Sequence, residues 1–337
     1  MGIAAAVVGL GYWGPNLARN VAANADLELV ALCDSSPERL ARVGRVYPAA
    51  RTFSDLGELL RWRVPELLVV ATPVATHHAL ASAALRAGSH VLLEKPLAAS
   101  VREGEDLLEQ ADRLGLRLLV DHTFLFTPAV QEVRRQVSEG ALGPLLYVDC
   151  VRIALGLFQP DVDVVWDLAP HDLSILEHVI GERPARIRAI GSSHNPRGIA
   201  DMAHLHLDYA DGLRAHVHVS WLSPVKIRRM ILAGSRQSLI FDDLEPAEKV
   251  KLYDYGVSFD TGDLEARREV LISYRKGDMR APALASTEAL TAEMRHVVAV
   301  LRGEAEPIAP GSGGLSVLRL LDAASRSLAQ AGQAVAI

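Results

Sequence analysis

The run Ile3-Ala4-Ala5-Ala6-Val7-Val8-Gly9-Leu10-Gly11-Tyr12-Trp13-Gly14 decides the fold of the first third of the chain. An apolar stretch suited to a buried strand passes directly into G-x-G-x-x-G, and Asn16 to Asn24 continues at helical spacing. The hexapeptide carries weight only between a strand and a helix, which is where it stands. Gly9 gives the tight turn, Gly11 lets a pyrophosphate approach the backbone, and Gly14 lets helix and strand pack closely. Tyr12 and Trp13 complete this cofactor loop. The helix start offers its unpaired N–H groups to the phosphates.

The segment Leu27 to Cys33 reads as the second strand and ends at Asp34, twenty residues past Gly14. An acidic residue there holds the adenosine ribose hydroxyls. It also favours NAD over NADP. A carboxylate about 4 Å from a 2′-phosphate costs roughly 4 kcal/mol at an effective dielectric of about 20. At about 1.4 kcal/mol per decade that is several hundredfold. Ser35 follows, and Arg39, a helical turn further on, is the residue placed to soften the preference.

Strands and helices keep alternating: helices over 37–46, 54–62, 76–87 and 100–114, strands over 67–71, 91–93 and 117–120. That rhythm predicts a parallel, doubly wound sheet. Ligands in such sheets bind beyond the carboxyl ends of the strands. Thr72 and Pro73 end a central strand there, and Glu94, Lys95 and Pro96 end the next. Lys95 has two readings, a cation aimed at a ligand or a solvated strand end paired with Glu94. His77 also has two, facing the cofactor or standing on the surface at a helix start.

Composition narrows the class. The 337 residues carry a formal charge of −6 and are half apolar, which suits about two domains and no extended nucleic-acid surface. No apolar run reaches the roughly 18 residues needed to span a bilayer. The start lacks the basic segment of a signal peptide. Cys33 and Cys150 cannot frame a disulfide scaffold, which fits a reducing cytoplasm.

After Asp121-His122 the pattern changes. A helix over 127–139 leads to strand-like runs at 145–153, 185–190, 204–209, 213–221, 227–233 and 238–241, consistent with a mostly antiparallel open sheet. Asp167 and His171 are four apart and share a helical face, with Asp167 expected as the N-cap and Pro170 in the first turn. His171 is either a structural histidine or a neutral proton acceptor. His204, His206, His216 and His218 suggest a metal. A two-residue Asp211-Gly212 turn, however, sets His206 opposite Val217 and His218 opposite Leu205, which separates the pairs onto opposite faces, so no metal is expected. The expected domains are 1–120 and 121–312. A Gly311-Ser312-Gly313-Gly314 linker lets a last helix, about 313–331, return to the first domain.

The motifs Gly9–Gly14, Ala71-Thr72-Pro73 through His77, Glu94-Lys95-Pro96 and Asp167-x-x-x-His171, in this order, resemble the glucose–fructose oxidoreductase/inositol dehydrogenase (Gfo/Idh/MocA) family over essentially the whole chain. The stretch from Asp161 to Leu173 resembles its sugar-modifying branch. The resemblance implies a Rossmann domain followed by an open-faced sheet domain that builds homodimers or homotetramers. It implies NAD as cofactor and a sugar or cyclitol as substrate. It also implies Lys95 near the reacting oxygen, His171 as acid/base and Asp167 as its acidic partner, with His122 and Arg152 at the substrate and the 156–164 loop selecting it. Val297 departs from the aromatic residue many members carry there.

The expected activity is hydride transfer between nicotinamide and a secondary alcohol of a nucleotide-linked or glycosidic sugar, by analogy at C3. Two other classes compete: a non-catalytic NAD-binding regulator, and a glycosidase that uses transient oxidation.

Overall fold

The computed structural model describes residues 2–156, 162–259 and 272–337. Most of the expected specificity loop, residues 157–161, lies outside the described residues. The chain forms two compact units, Met1–Thr127 with Thr287–Asp322, and Pro128–Ser286 with Ala323–Ile337.

The first unit opens with β1 (Ile3–Val8), α1 (Gly14–Ala23), β2 (Leu27–Cys33), α2 (Pro37–Gly44), β3 (Arg51–Phe53) and α3 (Leu56–Trp62). It continues with β4 (Leu67–Val70), α4 (His77–Ala87), β5 (His90–Glu94), α5 (Val101–Leu114) and β6 (Leu118–Asp121). The strands are all parallel, in the order β3-β2-β1-β4-β5-β6. This is the doubly wound order with its switch point between β1 and β4. Strands β4 and β6 are buried end to end, as expected when helices cover both faces. Local chemistry starts the helices where the sequence says. Ser36, Asp55 and Ser100 each accept a backbone N–H at a helix N-cap, and Gly88 and Gly115 close helices with left-handed φ.

The second unit contains α6 (Pro128–Ser138), β7 (Leu145–Leu155) and α7 (Val164–Ile180), then β8 (Arg186–Ser192), β9 (Met202–Asp208), β10 (Arg214–Ser220) and β11 (Leu222–Gly234). After β12 (Ser238–Asp242) come β13 (Val250–Phe259) and β14 (Ile272–Arg280), two strands the sequence reading does not place. Helix α8 (Ala289–Leu301) follows, then α9 (Gly311–Ala329) and β15 (Val335–Ala336). The nine strands among the described residues run β14-β13-β12-β11-β7-β10-β9-β8-β15. Only β7 and β10 pair in parallel. Val148, Cys150 and Arg152 of β7 are buried, whereas Tyr147 is half exposed, so one face packs inward and the other stays open.

Two expectations about the C-terminal segment are corrected. Helix α8, expected in the second domain, belongs to the first unit, where Met294 and Val297 join the β1–β4 core. The glycines at 311–314 are not a linker; they form the first turn of α9. A Cβ on Gly314 would lie 2.5 Å from Val120 Cγ2, so the helix packs too closely on β6 for a larger residue.

Candidate active site

The glycine loop has the geometry of a phosphate cradle. Gly9 has φ +90°, and a Cβ there would stand 2.4 Å from the Ala71 carbonyl oxygen. A Cβ on Gly14 would meet the Gly9 carbonyl oxygen at 1.8 Å. A Cβ on Gly11 would find only Arg39 Nη1, at 3.8 Å. The first and third glycines are therefore required by the protein itself, and the second faces open space where a ligand can approach. Helix α1 begins without a side-chain cap or an acidic residue in its first turn, so its positive end is left for an anion.

Asp34 is buried and fixed at the tip of β2. Its Oδ2 accepts from Leu10 N–H at 2.6 Å and its Oδ1 from Ser36 N–H at 2.8 Å. Arg39 Nη1 lies 3.8 Å from Oδ2, while Ser35 and Arg39 are themselves exposed. Trp13 has a structural task. Its indole N–H donates to Asp121 Oδ2 at 2.9 Å, which ties the loop to the end of β6. Tyr12 is 93% exposed. The open cradle, the uncapped helix start and the anchored carboxylate together fit NAD.

The ends of β4 and β5 carry the other predicted residues. Neither reading of His77 holds. Its ring is buried, with Nδ1 2.9 Å from the Pro96 carbonyl oxygen and Nε2 2.8 Å from that of Thr72. It straps the Thr72-Pro73 turn to the Glu94-Lys95-Pro96 segment, and burial pulls its pKa below the usual imidazole value. Thr76 Oγ1 donates to Thr72 Oγ1 at 2.7 Å.

Beside Lys95 lies a buried ionisable cluster. Glu94 pairs in register with Asp121. Burial, then the Asp121 charge, raises the Glu94 carboxyl well above the usual range, and the Lys95 charge opposes this. Glu293 of α8 is raised by burial and by Asp121. His122 is buried, and neither ring nitrogen finds a partner among the described residues. Burial and then the Lys95 charge bring it down to about 4, so it is neutral at pH 7.

In the second unit, α7 carries Asp167 and His171. The N-cap is Asp163, not Asp167. Asp163 Oδ1 accepts from Val165 N–H and Trp166 N–H at 2.9 and 3.0 Å. An extra turn therefore precedes the expected start, and Pro170 falls inside the helix. Asp167, freed from capping, accepts from Trp221 Nε1–H at 3.0 Å. Arg152, expected at the substrate, is 4% exposed and grips Asp172 through Nε at 2.7 Å and Nη2 at 3.1 Å. Trp221 and Asp172 are partners the sequence reading did not assign. A lone Trp and a carboxylate beside the motif histidine give no signal until the sheet brings them together.

The four histidines correct a register. The loop from Tyr209 to Leu213 closes through Tyr209 N–H to Leu213 O and holds three residues, with Gly212 at φ +95°. His206 therefore pairs with His216, and His204 with His218. The rings share a face and stack with centroids 4.9 and 4.3 Å apart. His216 Nδ1 lies 2.6 Å from Asp149 Oδ1. Among the described residues, no group of three or more His, Cys, Asp or Glu is arranged to hold a metal ion.

A doubly wound unit with this cradle, in a chain whose second unit carries Asp167 and His171 on one helix, is the arrangement of an NAD-dependent oxidoreductase. Comparison with known proteins gives the family. Residues 3–122 match the model described as "Oxidoreductase family, NAD-binding Rossmann fold", and residues 130–240 match the GFO/IDH/MocA C-terminal domain. The chain belongs to the Gfo/Idh/MocA oxidoreductase family.

It is 31% identical to the UDP-N-acetylglucosamine 3-dehydrogenase of Acidithiobacillus ferrooxidans, over 66% of this chain and 69% of that one. It is 26% identical to the NADP-dependent scyllo-inositol 2-dehydrogenase of Bacillus subtilis, over 86% and 84%. A solved structure of the A. ferrooxidans enzyme superimposes with a TM-score of 0.82, covering 99% of this chain and all of that one. Among the described residues no helix is long and apolar enough to cross a membrane.

Proposed function

We propose that the protein interconverts a secondary alcohol and a ketone on the ring of a nucleotide-linked or glycosidic sugar, at C3. The observation that carries this is the Asp167–His171 pair on α7, in a chain that also places Lys95 at the end of β5. The named activities of the two relatives, on a nucleotide sugar and a cyclitol, support it.

Held at the Gly9–Gly14 loop and Asp34, NAD would supply the hydride acceptor for oxidation or, reduced, the hydride donor for reduction. His171 accepts the hydroxyl proton as the C–H bond breaks, or donates it on reduction. The Lys95 ammonium stabilises the developing alkoxide. Asp167, held by the Trp221 indole, fixes the orientation of substrate and base. Thr72, Pro73 and Glu94, at the ends of β4 and β5, would line the nicotinamide end. A regulator needs only the cradle, and nothing in it calls for the α7 pair.

The test is absorbance at 340 nm with a panel containing UDP-N-acetylglucosamine, myo-inositol and alkyl glucosides. On the active substrate, His171→Ala lowers kcat about 10²–10⁴-fold with NAD affinity intact, and Lys95→Met about 10²–10³-fold. Full turnover in His171→Ala overturns the assignment, and aglycone release without net NADH moves it to the glycosidase reading.

We infer in addition that the open sheet face joins copies into a homodimer or homotetramer in the cytoplasm. The face exposes Tyr147 and Ile190 beside the stacked histidines and holds a hollow of about 610 Å³. Both cysteines are buried, as suits a reducing compartment. Light scattering checks the assembly: a monomer at micromolar concentration removes it.

A further inference from the structure

Helix α7 is internally weak where its chemistry lies. Pro170 has no N–H to give to the Trp166 carbonyl, and its ring crowds that turn, a defect of about 3 kcal/mol in a helix interior. The next residue is His171. Pro170 removes one hydrogen bond from the turn that carries His171, so contacts with the rest of the unit carry more of the work of placing that turn.

The second unit supplies such contacts on either side. Four residues before His171, Asp167 is held by the indole of Trp221, which is 1% exposed. A Cβ on Gly156 would lie 2.6 Å from the Trp221 ring, so the strand ends leave that ring little freedom. One residue after His171, Asp172 is gripped by Arg152 from β7 through two hydrogen bonds. Both side chains are about 95% buried. Trp166 is tied by Nε1–H to Ser325 Oγ at 2.9 Å, and Ser174 Oγ–H caps the His171 carbonyl at 2.9 Å.

A fully buried ion pair is a poor way to gain stability, because desolvation of two charges offsets most of their attraction. Its geometric precision is another matter. A guanidinium fork on a carboxylate fixes both distance and plane, and β7 is the central strand of the sheet.

We propose that Arg152 is a positioning residue and not a substrate ligand. With Asp172, and with Trp221 acting through Asp167, it sets the pose of His171 for proton transfer. This rests on the reading of His171 given above.

The test compares Arg152→Met/Asp172→Leu, Arg152→Lys and Trp221→Phe with the wild type. The readouts are melting temperature, NAD affinity, the kcat–KM split, the pH profile of kcat, and the NMR titration of the His171 ring, which needs no substrate. An apolar replacement of both partners leaves such a buried pair near neutral in stability. The double variant is therefore expected to melt within a few degrees of wild type and bind NAD within twofold. Its kcat is expected to fall about 10–100-fold, the cost of an ångström-scale misplacement. The His171 titration moves by half a pH unit or more, and the acid limb of the kcat profile moves with it.

Arg152→Lys keeps the charge and loses the fork. It is expected to fold, and to lose at least about fivefold in kcat with the same displacement of the ring titration. It decides the matter if the double variant fails to fold. A folded variant with wild-type kcat, pH profile and ring titration makes the pair a brace and nothing more. If His171→Ala is inactive while the double variant is fully active, only this inference fails. If His171→Ala is active, the functional reading itself fails.

Discussion

Gly11 and Gly14 stand three residues apart in the same loop and answer to different masters. An alanine Cβ at Gly14 would lie 1.8 Å from the Gly9 carbonyl oxygen. That overlap cannot relax without moving β1 from α1, and it is expected to cost about 3 kcal/mol or more. The same change at Gly11 meets no backbone or packed atom. Gly11→Ala should thus keep the wild-type melting temperature and lose at least about tenfold in NAD affinity, while Gly14→Ala should melt several degrees lower. Equal melting temperatures in calorimetry would contradict this division.

At Asp34 the carboxylate is anchored by two backbone amides beside Arg39. Asp34→Ser removes the charge that repels a 2′-phosphate and leaves the guanidinium that attracts one. Fluorescence titration is expected to show the NAD/NADP affinity ratio falling by about 10–100-fold, within the roughly 4 kcal/mol available at an effective dielectric of about 20.

His122 adds a pH dependence whose sign is fixed by burial. Its pKa falls from 6.5 to about 4. Between those values the unfolded chain binds a proton that the folded chain refuses, so stability drops as pH falls from about 6.5 towards 4, by about 3 kcal/mol in all. The raised carboxyls of Glu94 and Glu293 act oppositely, contributing most in acid and less as pH rises. The comparison must therefore be between proteins. His122→Gln is expected to flatten the urea-midpoint slope between pH 6.5 and 4.5 by up to one proton, and identical slopes would refute the buried neutral ring.

At the scale of elements, the helices that obey cap chemistry begin where the sequence says, as at Ser36 and Ser100. Departures occur where two local signals compete. Asp163 and Asp167 can each cap a helix, and Pro170 favours the later start; the helix nevertheless begins at Val164, because Trp221 claims the Asp167 carboxylate. Glycines at 311, 313 and 314 read as a flexible tether, yet the lack of a side chain at 311 serves packing against Leu118, and at 314 against Val120 and Leu97. Gly314→Ala is expected to destabilise the protein by about 1–3 kcal/mol through contact with Val120; an unchanged denaturation midpoint would show that the α9–β6 packing tolerates a methyl group there. The histidine ladder turned on one residue. A three-residue hairpin in place of a two-residue one moved every side chain of β10 against its β9 partners.

For the whole molecule, the division of the chain is the part least visible in its order. Helix α8 follows the sheet of the second unit in sequence but packs its Met294, Val297 and Val298 with Leu10, Leu17 and Val21 of the first. Its apolar face says that it is buried and says nothing about which core receives it. Strands β13 and β14 are likewise not legible in the sequence. Asp254, Lys276 and Asp278 break their alternation, and only pairing with β12 and each other gives them a register.

The sequence by itself determined the dinucleotide fold and NAD as cofactor, and its ordered motifs carried the family resemblance that made Lys95, Asp167 and His171 candidates. The fold and the cofactor depend on local spacing, where a glycine turn or a carboxylate twenty residues on has one geometric use. Tertiary structure alone decided that Arg152 holds Asp172, that Trp221 holds Asp167, that His77 is a buried strap and that four histidines stack. Those contacts join residues distant in the chain, and their energy comes from desolvation and strand register, which no short window of sequence encodes.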